Sequence, residues 1–162
     1  MSIAVGESLP EGTFLEMGPD GPAEVTVSDL TGGRKVVIFG VPGAYTGVCS
    51  TRHVPSFMRV ADELRAKDVA DIVCVSVNDP FVLGAWAEAT GGAGAGLRFL
   101  GDATSAFTKA IGLDFTAPAR GLVDRSKRYA MLVEDGVVKV LNVEASPGEC
   151  ELSAGETLLA QV

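Results

Sequence analysis

The sequence has few of the residues on which several large classes of protein depend. It contains 3 cysteines, odd in number and far apart, which match neither a secreted disulfide framework nor the closely spaced cysteine pairs of structural zinc sites. No stretch reaches the roughly 18 apolar residues of a membrane span. Residues 1–9 also lack the basic start and apolar core of a signal peptide. We therefore expect an intracellular, reducing location: the cytoplasm, or a chloroplast or mitochondrion if a transit peptide was removed.

Positive charge is scarce as well. The chain has 13 Lys and Arg against 21 Asp and Glu, a formal net charge of -8 at pH 7. This excess of negative charge repels phosphate backbones and anionic lipid surfaces, so we expect neither nucleic acid nor membrane as a partner. With 162 residues, 47% of them hydrophobic, the chain is long enough to bury a core, and we predict one domain over 1–162.

What is present is an alternation of apolar strand patterns and helical periodicity. Short strands are predicted over 13–17 and 24–27, buried strands over 35–40, 71–77 and 97–100, helices over 49–67, 81–90, 103–111 and 153–162, and a hairpin over 129–134 and 137–143. Pro55 lies inside the first helix and is expected to kink it. This order predicts an α/β fold, a central mixed sheet flanked by helices in a thioredoxin-like arrangement.

One cysteine stands apart from the apolar runs. In "PGAYTGVCS", residues 42–50, Cys49 falls where the first central strand passes into its long helix. The first turn of a helix offers free backbone N–H groups and the positive end of the helix dipole, and both stabilise a thiolate. Thr46 is close enough in sequence to hydrogen-bond the sulfur or its substrate, and Pro42 shields one side of the turn. A free cysteine that merely packs as a small apolar residue is the alternative.

The spacing Pro42-x-x-x-Thr46-x-x-Cys49 fits the PxxxTxxC signature of the peroxiredoxins. The stretches "VIFGVPGAYTGVCS", "HVPSF", "SVNDPFVLGAW" and "VLNVE" resemble the type II group, which includes the peroxiredoxin-5 proteins, and the likeness to plant and algal members extends over nearly the whole chain. The chain departs from the usual PGAFTPTCS at Tyr45, Gly47 and Val48. These changes affect the expected rate and peroxide preference rather than activity itself.

The resemblance implies a thiol peroxidase with Cys49 as the peroxidatic cysteine, Thr46 contacting sulfur and peroxide, and Pro42 beside them. In "RSKRYAMLV" the family's active-site arginine falls on Arg128, whose fixed charge would hold the sulfur ionised. The backbone N–H groups of Val48 and Cys49 would complete the donors to the peroxide. The expected substrates are hydrogen peroxide and organic hydroperoxides, with no cofactor and no metal. For Arg128, a solvated charge in a local basic cluster is the alternative.

His53, the single histidine, lies one helical turn after Cys49. This spacing also suggests a Cys–His thiol hydrolase, whereas type II peroxiredoxins commonly carry a histidine here as a supporting hydrogen-bonding residue. A Cys₃His zinc site formed by His53 and the three cysteines is a further alternative, without supporting spacing. The remaining alternative is that the protein is a catalytically inactive binding module with a thioredoxin fold.

The thiol that would reduce oxidised Cys49 is left open. Cys74 lies in an apolar strand, at the spacing of the resolving cysteine of plant-type members, and is either that residue or an inert core cysteine. Cys150 follows a turn-rich segment and is predicted to be exposed, near the resolving cysteine of animal members. The resemblance also implies external donors, glutathione with glutaredoxin or thioredoxin, and a homodimer that uses Phe81 and residues 43–46.

Overall fold

The computed structural model describes all residues, 1–162. Nine strands and five α-helices follow one another in the order β1 Thr13–Gly18, β2 Gly21–Thr26, α1 Val27–Thr31, β3 Lys35–Val41, α2 Val54–Ala66, β4 Asp71–Ser76, α3 Pro80–Thr90, β5 Arg98–Gly101, α4 Ala106–Ala110, β6 Asp114–Ala117, β7 Leu122–Ser126, β8 Tyr129–Glu134, β9 Val137–Val143 and α5 Gly155–Leu159. A π-helical turn, Cys49–His53, precedes α2, and a 3₁₀ turn, Pro118–Arg120, connects β6 to β7.

Seven strands form one mixed sheet in the order β2-β1-β5-β4-β3-β8-β9. Strands β3, β4 and β5 are parallel, and the β8–β9 hairpin continues the sheet antiparallel beside β3. The β1–β2 hairpin closes the other edge next to β5. This is a thioredoxin-like α/β fold, as the sequence pattern predicted.

The two faces of the sheet have separate hydrophobic cores. Alternate residues of β3 point to opposite faces, so Val37 and Phe39 pack with α2, α3 and α5, while Val36 and Ile38 pack with residues of α1 and α4. Because helices cover both faces, every residue of β3 after Lys35 is buried. This explains why β3 reads as a continuous apolar run rather than as an alternating one.

The predicted helix over 49–67 is not a single α-helix. Its first turn is π-helical, and the N–H of Val54 donates to the carbonyl oxygen of Cys49, five residues back. Pro55 follows directly and has no N–H to donate, so regular α-helical bonding cannot run through this point. The irregularity expected from Pro55 is therefore a widened turn that begins at Cys49.

Other elements differ from the predicted ones in position or length. The β6–β7 hairpin was not predicted, because its strands are only four and five residues long and are only partly buried for most of their length. Helix α1 was also missed, and α4 and α5 are shorter than predicted. No helix of the structure combines the length and apolar character needed to cross a membrane.

Candidate active site

Cys49 lies at the carboxyl end of β3, in the first turn of the helical segment that follows the strand. The N–H of Ser50 donates to the carbonyl oxygen of Thr46, so Thr46 begins this segment. The Thr46 hydroxyl lies 2.8 Å from Cys49 Sγ and 2.7 Å from the carbonyl oxygen of Gly43. A hydroxyl has a single hydrogen, so Thr46 donates to one of these two atoms at a time. Its oxygen can also accept a hydrogen bond.

Arg128 connects the elements around this sulfur. It lies directly before β8, is 2% exposed, and its Nη2 donates to Cys49 Sγ over 3.1 Å. Its Nε donates to the carbonyl oxygen of Pro147 over 3.1 Å, and its Nη1 lies 3.0 Å from His53 Nδ1. The alternative of a solvated surface charge is wrong for Arg128, because antiparallel pairing of β8 with β3 carries it inward beside the sulfur.

None of the hydrogen-bond partners of Arg128 other than Cys49 can carry a negative charge. The guanidinium is always protonated in proteins, and a buried charge without a counter-charge costs several kcal/mol. Pro147 offers a carbonyl oxygen and His53 a neutral imidazole nitrogen. Cys49 is therefore the one hydrogen-bond partner of Arg128 that could offer a counter-charge.

The hydrogen bonds of His53 define its tautomer. Arg128 has only N–H donors, so His53 Nδ1 accepts, and Nε2 therefore carries the hydrogen and donates to the carbonyl oxygen of Ser153 over 2.9 Å. Burial, reinforced by the charge of Arg128, lowers the pKa of His53 from 6.5 to about 3. Neither ring nitrogen is free to take a proton from Cys49, so the arrangement of a Cys–His hydrolase is not formed.

A cavity of about 200 Å³ lies against these residues, lined by Pro42, Thr46, Gly47, Val48, Arg120, Leu122, Arg128, Pro147 and Gly148. Cys49 itself is 0% exposed and lies behind Thr46 and Arg128, the two residues that hydrogen-bond its sulfur. The N–H groups of Val48 and Cys49 have no acceptor within the chain. The first turn therefore has backbone N–H donors that are free to bind a ligand in the cavity.

Cys74 is also fully buried, in β4, where it pairs with Phe39 of β3 and with Phe99 of β5. Burial raises the pKa of the Cys74 thiol well above its ordinary value, and the negative charge of Cys49 raises it further, against the opposing effect of Arg128. Cys74 is therefore a poor source of thiolate within a central strand.

The prediction that Cys150 is exposed is wrong. The side chain is 4% exposed, because the segment around it is held against the protein. Arg52 Nη2 donates to the Cys150 carbonyl oxygen over 3.1 Å, and the following residues are bound by the Glu144 carboxylate. Burial raises the pKa of the Cys150 thiol, and Glu144 acts in the same direction, against Arg128 and Arg52.

Several residues of the site carry no signal in the sequence. Pro147 and Ser153 contribute backbone carbonyl oxygens, which any residue could supply, and they lie 19 and 100 residues from their partners Arg128 and His53. Arg120 and Leu122 reach the cavity through the β6–β7 hairpin. Only the tertiary fold brings these segments together.

No group of three or more His, Cys, Asp or Glu side chains is arranged to hold a metal ion. His53 and the three cysteines therefore do not form the Cys₃His arrangement considered from the sequence.

The chain is similar in sequence and in fold to known proteins. The family model described as Redoxin matches residues 4–159. The chain is 48% identical to peroxiredoxin-2E-2, chloroplastic, of Oryza sativa subsp. japonica over 98% of this chain and 72% of that protein. It is 44% identical to peroxiredoxin-2F, mitochondrial, of Arabidopsis thaliana over 99% of this chain and 80% of that protein. Among solved structures, reduced Prx3 of Vibrio vulnificus in complex with hydrogen peroxide superposes with a TM-score of 0.91, at 44% identity over 98% of both chains.

The fold and the buried cysteine between Thr46 and Arg128 define a thioredoxin-like oxidoreductase that acts through a thiol. The chain belongs to the Redoxin family and, within it, to the type II peroxiredoxins, which are thiol-dependent peroxidases.

Proposed function

We propose that the protein reduces hydrogen peroxide and organic hydroperoxides with Cys49 as the peroxidatic nucleophile, Thr46 and Arg128 as catalytic residues, and Pro42 as a wall of the site. The observation that carries this proposal is the pair of donors on one sulfur, Thr46 Oγ1 at 2.8 Å and Arg128 Nη2 at 3.1 Å. The hydrogen peroxide bound to the Vibrio vulnificus relative supports the same substrate class.

In the proposed reaction the Cys49 thiolate attacks one peroxide oxygen. An S–O bond forms and the O–O bond breaks, so the sulfur loses two electrons and becomes a sulfenic acid. The other oxygen leaves with the electron pair and takes a proton, giving water or an alcohol. Arg128 and the free N–H groups of Val48 and Cys49 stabilise the negative charge that develops on the oxygens. Thr46 releases the sulfur and accepts a hydrogen bond from the peroxide as its hydroxyl rotates.

Peroxide consumption tests the assignment of Cys49. We expect Cys49→Ser to abolish peroxide reduction, because an alcohol at this position is not ionised near neutral pH. Cys150→Ser is the matched control: it removes another buried cysteine and should keep the activity. Equal rates for the wild type and Cys49→Ser would reject the proposal.

For the reducing step we propose an external thiol, either glutathione with glutaredoxin or thioredoxin. This rests on the burial of both internal candidates and on the raised pKa values of Cys74 and Cys150. Forming an intramolecular disulfide would also require the Cα atoms to approach within about 7 Å. Such an approach would distort a central strand in the case of Cys74, or the segment pinned by Glu144 in the case of Cys150.

Turnover with each donor distinguishes these routes. We expect the Cys74→Ser and Cys150→Ser variants to turn over with at least one of the two donor systems. Mass mapping after one equivalent of peroxide and excess glutathione should show an adduct on Cys49. A Cys49–Cys74 or Cys49–Cys150 disulfide as the main product would contradict the external route.

We also propose a homodimer formed through the end of the sheet that carries the site. Tyr45 and Phe81 are 59% and 66% exposed there. Their loops are tied together, because the N–H of Ala44 donates to Asn78 Oδ1 over 3.0 Å. Exposed aromatic side chains on a rigid surface are typical of protein interfaces.

For the location we propose a reducing intracellular compartment, supported by the free thiols and by the chloroplastic and mitochondrial relatives.

A further inference from the structure

The cavity beside Cys49 is larger than hydrogen peroxide requires. Its volume is about 200 Å³, whereas a water molecule occupies about 30 Å³ in the liquid. Pro42, Val48, Leu122 and Pro147 give its walls an apolar character, so it has room for the organic part of a hydroperoxide.

The charged lining of this cavity has one sign. Its charged residues are Arg120 and Arg128, and no carboxylate lines it. A third arginine lies beside it, since Arg125 Nη1 donates to the Pro42 carbonyl oxygen over 3.3 Å. None of the three belongs to an ion pair of the structure. Although the chain has a net charge of -8, the charged residues that line this cavity are both positive.

Arg120 differs from the other two arginines in having no internal role. Arg128 holds the sulfur and Arg125 holds the Pro42 carbonyl, but the exposed Arg120 side chain has no hydrogen-bond partner in the chain. Its backbone is nonetheless placed, because it ends the 3₁₀ turn Pro118–Arg120, which Gly121 closes by donating its N–H to the Pro118 carbonyl oxygen over 3.0 Å. An exposed guanidinium with unused donors on a fixed backbone can pair with an anionic group in the cavity.

We infer that Arg120 makes the enzyme prefer hydroperoxides that carry a carboxylate, with the peroxide group at Cys49 and the carboxylate at Arg120. This inference rests on the proposed peroxidase reaction and adds a specificity-determining residue to it. The apolar walls receive the hydrocarbon between the two polar ends. Hydrogen peroxide has no such group, and its reduction does not use this contact.

Paired substrates test the inference. Cumene hydroperoxide and its para-carboxylate analogue differ by one carboxylate group at the end remote from the peroxide. The second-order rate constant for Cys49 oxidation is measured for each by quenched-flow mass spectrometry in a single turnover, without reductant. We expect the carboxylate to react faster than the neutral compound in the wild type. In Arg120→Gln this ratio should fall about threefold, the size expected of one solvent-exposed charge pair, and in Arg120→Glu about tenfold.

The control is Lys139→Gln, which removes an exposed positive charge from β9 and should leave the ratio unchanged. Added salt should reduce the ratio in the wild type and have less effect in Arg120→Gln. A ratio that is the same in the wild type and both Arg120 variants would overturn the inference, and so would an equal fall of both rate constants. If Cys49 of the wild type is oxidised by neither compound nor by hydrogen peroxide, the proposed function itself fails.

Discussion

At the scale of single residues, Arg128 is the residue on which the site depends. Its guanidinium bonds Cys49, His53 and Pro147 through three different nitrogens. A lysine at this position would keep the charge but could not hold three partners in one plane, because an ammonium lacks the fixed fork of donors. The geometry of the guanidinium therefore matters in addition to its charge.

We predict that Arg128→Lys lowers the rate constant for Cys49 oxidation by about 100-fold, the order found when one preorganised transition-state donor is lost. Stopped-flow measurement with hydrogen peroxide gives the rate constant, and urea unfolding shows whether the variant is folded. Lys127→Gln, which alters the exposed neighbouring charge, is the control. A folded Arg128→Lys variant with wild-type kinetics would show that the fork of donors is not needed.

His53 makes stability depend on pH. Its pKa is about 3 in the folded protein, against 6.5 for a histidine side chain in the unfolded chain, so below pH 6.5 the unfolded chain binds a proton that the folded chain does not. Stability is therefore unaffected above pH 6.5 and falls progressively as the pH drops from 6.5 toward 3. Between pH 7.5 and 5.5 we predict a loss of about 1.4 kcal/mol from this source.

Urea unfolding of the wild type and of His53→Gln at both pH values measures this loss. Because the chain has one histidine, the variant removes all histidine titration. The difference in unfolding free energy between the two pH values should be about 1.4 kcal/mol smaller in the variant. The same pH dependence in both proteins would mean that His53 is not held neutral in the folded protein.

At the scale of elements, the segment after β9 is organised by one carboxylate. Glu144 is buried and accepts hydrogen bonds from the N–H groups of Glu151, Leu152 and Ser153 and from the Ser153 hydroxyl. Burial alone raises the pKa of Glu144, but these hydrogen bonds outweigh it, and the pKa is lowered. The stabilisation is complete above the ordinary pKa of a glutamate and is lost as the pH falls through the lower folded value. The loss of this stabilisation therefore occurs below pH 5.5, outside the pH range in which the effect of His53 is measured.

We predict that Glu144→Gln destabilises the protein by about 2 kcal/mol, since an amide cannot accept all of these bonds and charged acceptors are worth more than neutral ones. Cys150 should then react faster with a thiol-alkylating reagent, because the segment that buries it is loosened. Urea unfolding and alkylation kinetics check the two effects. Glu149→Gln, an exposed carboxylate in the same segment, should change neither. Unaltered Cys150 reactivity in Glu144→Gln would contradict this role.

The elements differ in how far the sequence could predict them. Strands β3, β4 and β5 were predictable because both faces of the sheet are covered there and each strand contains a short apolar run that is buried. The proximity of Thr46 and Cys49 was predictable because it is local. The burial of Cys150 was not, because it depends on Glu144 and Arg52, and turn residues around a cysteine ordinarily indicate exposure. The placement of Arg120 depends on a hairpin too short to show a pattern.

At the scale of the whole molecule, the sheet brings the parts of the site to one end. Cys49 follows the carboxyl end of β3, and Arg128 precedes the antiparallel β8, so the two meet at the same edge. Ligand sites of open α/β sheets lie at the carboxyl ends of the strands. The exposed Tyr45 and Phe81 also follow the carboxyl ends of β3 and β4, so the proposed dimer surface adjoins the site.

We predict that Phe81→Asp shifts the protein from dimer to monomer, because it places a charge in the desolvated centre of the proposed interface. Sedimentation velocity at micromolar concentration measures the mass. Val5→Asp changes another exposed apolar residue, next to the edge strand β9, and should leave the dimer intact. A wild type that sediments as a monomer, or a dimeric Phe81→Asp, would contradict the proposal.

The central claim is that Cys49, held between Thr46 and Arg128, is the sulfur that reacts with peroxide. The most direct measurement treats the reduced protein with less than one equivalent of hydrogen peroxide in the presence of dimedone, which traps sulfenic acids, and locates the label by peptide mass mapping. We predict the label on Cys49, with Cys74 and Cys150 unmodified. A label on Cys74 or Cys150 while Cys49 remains a free thiol would contradict the account.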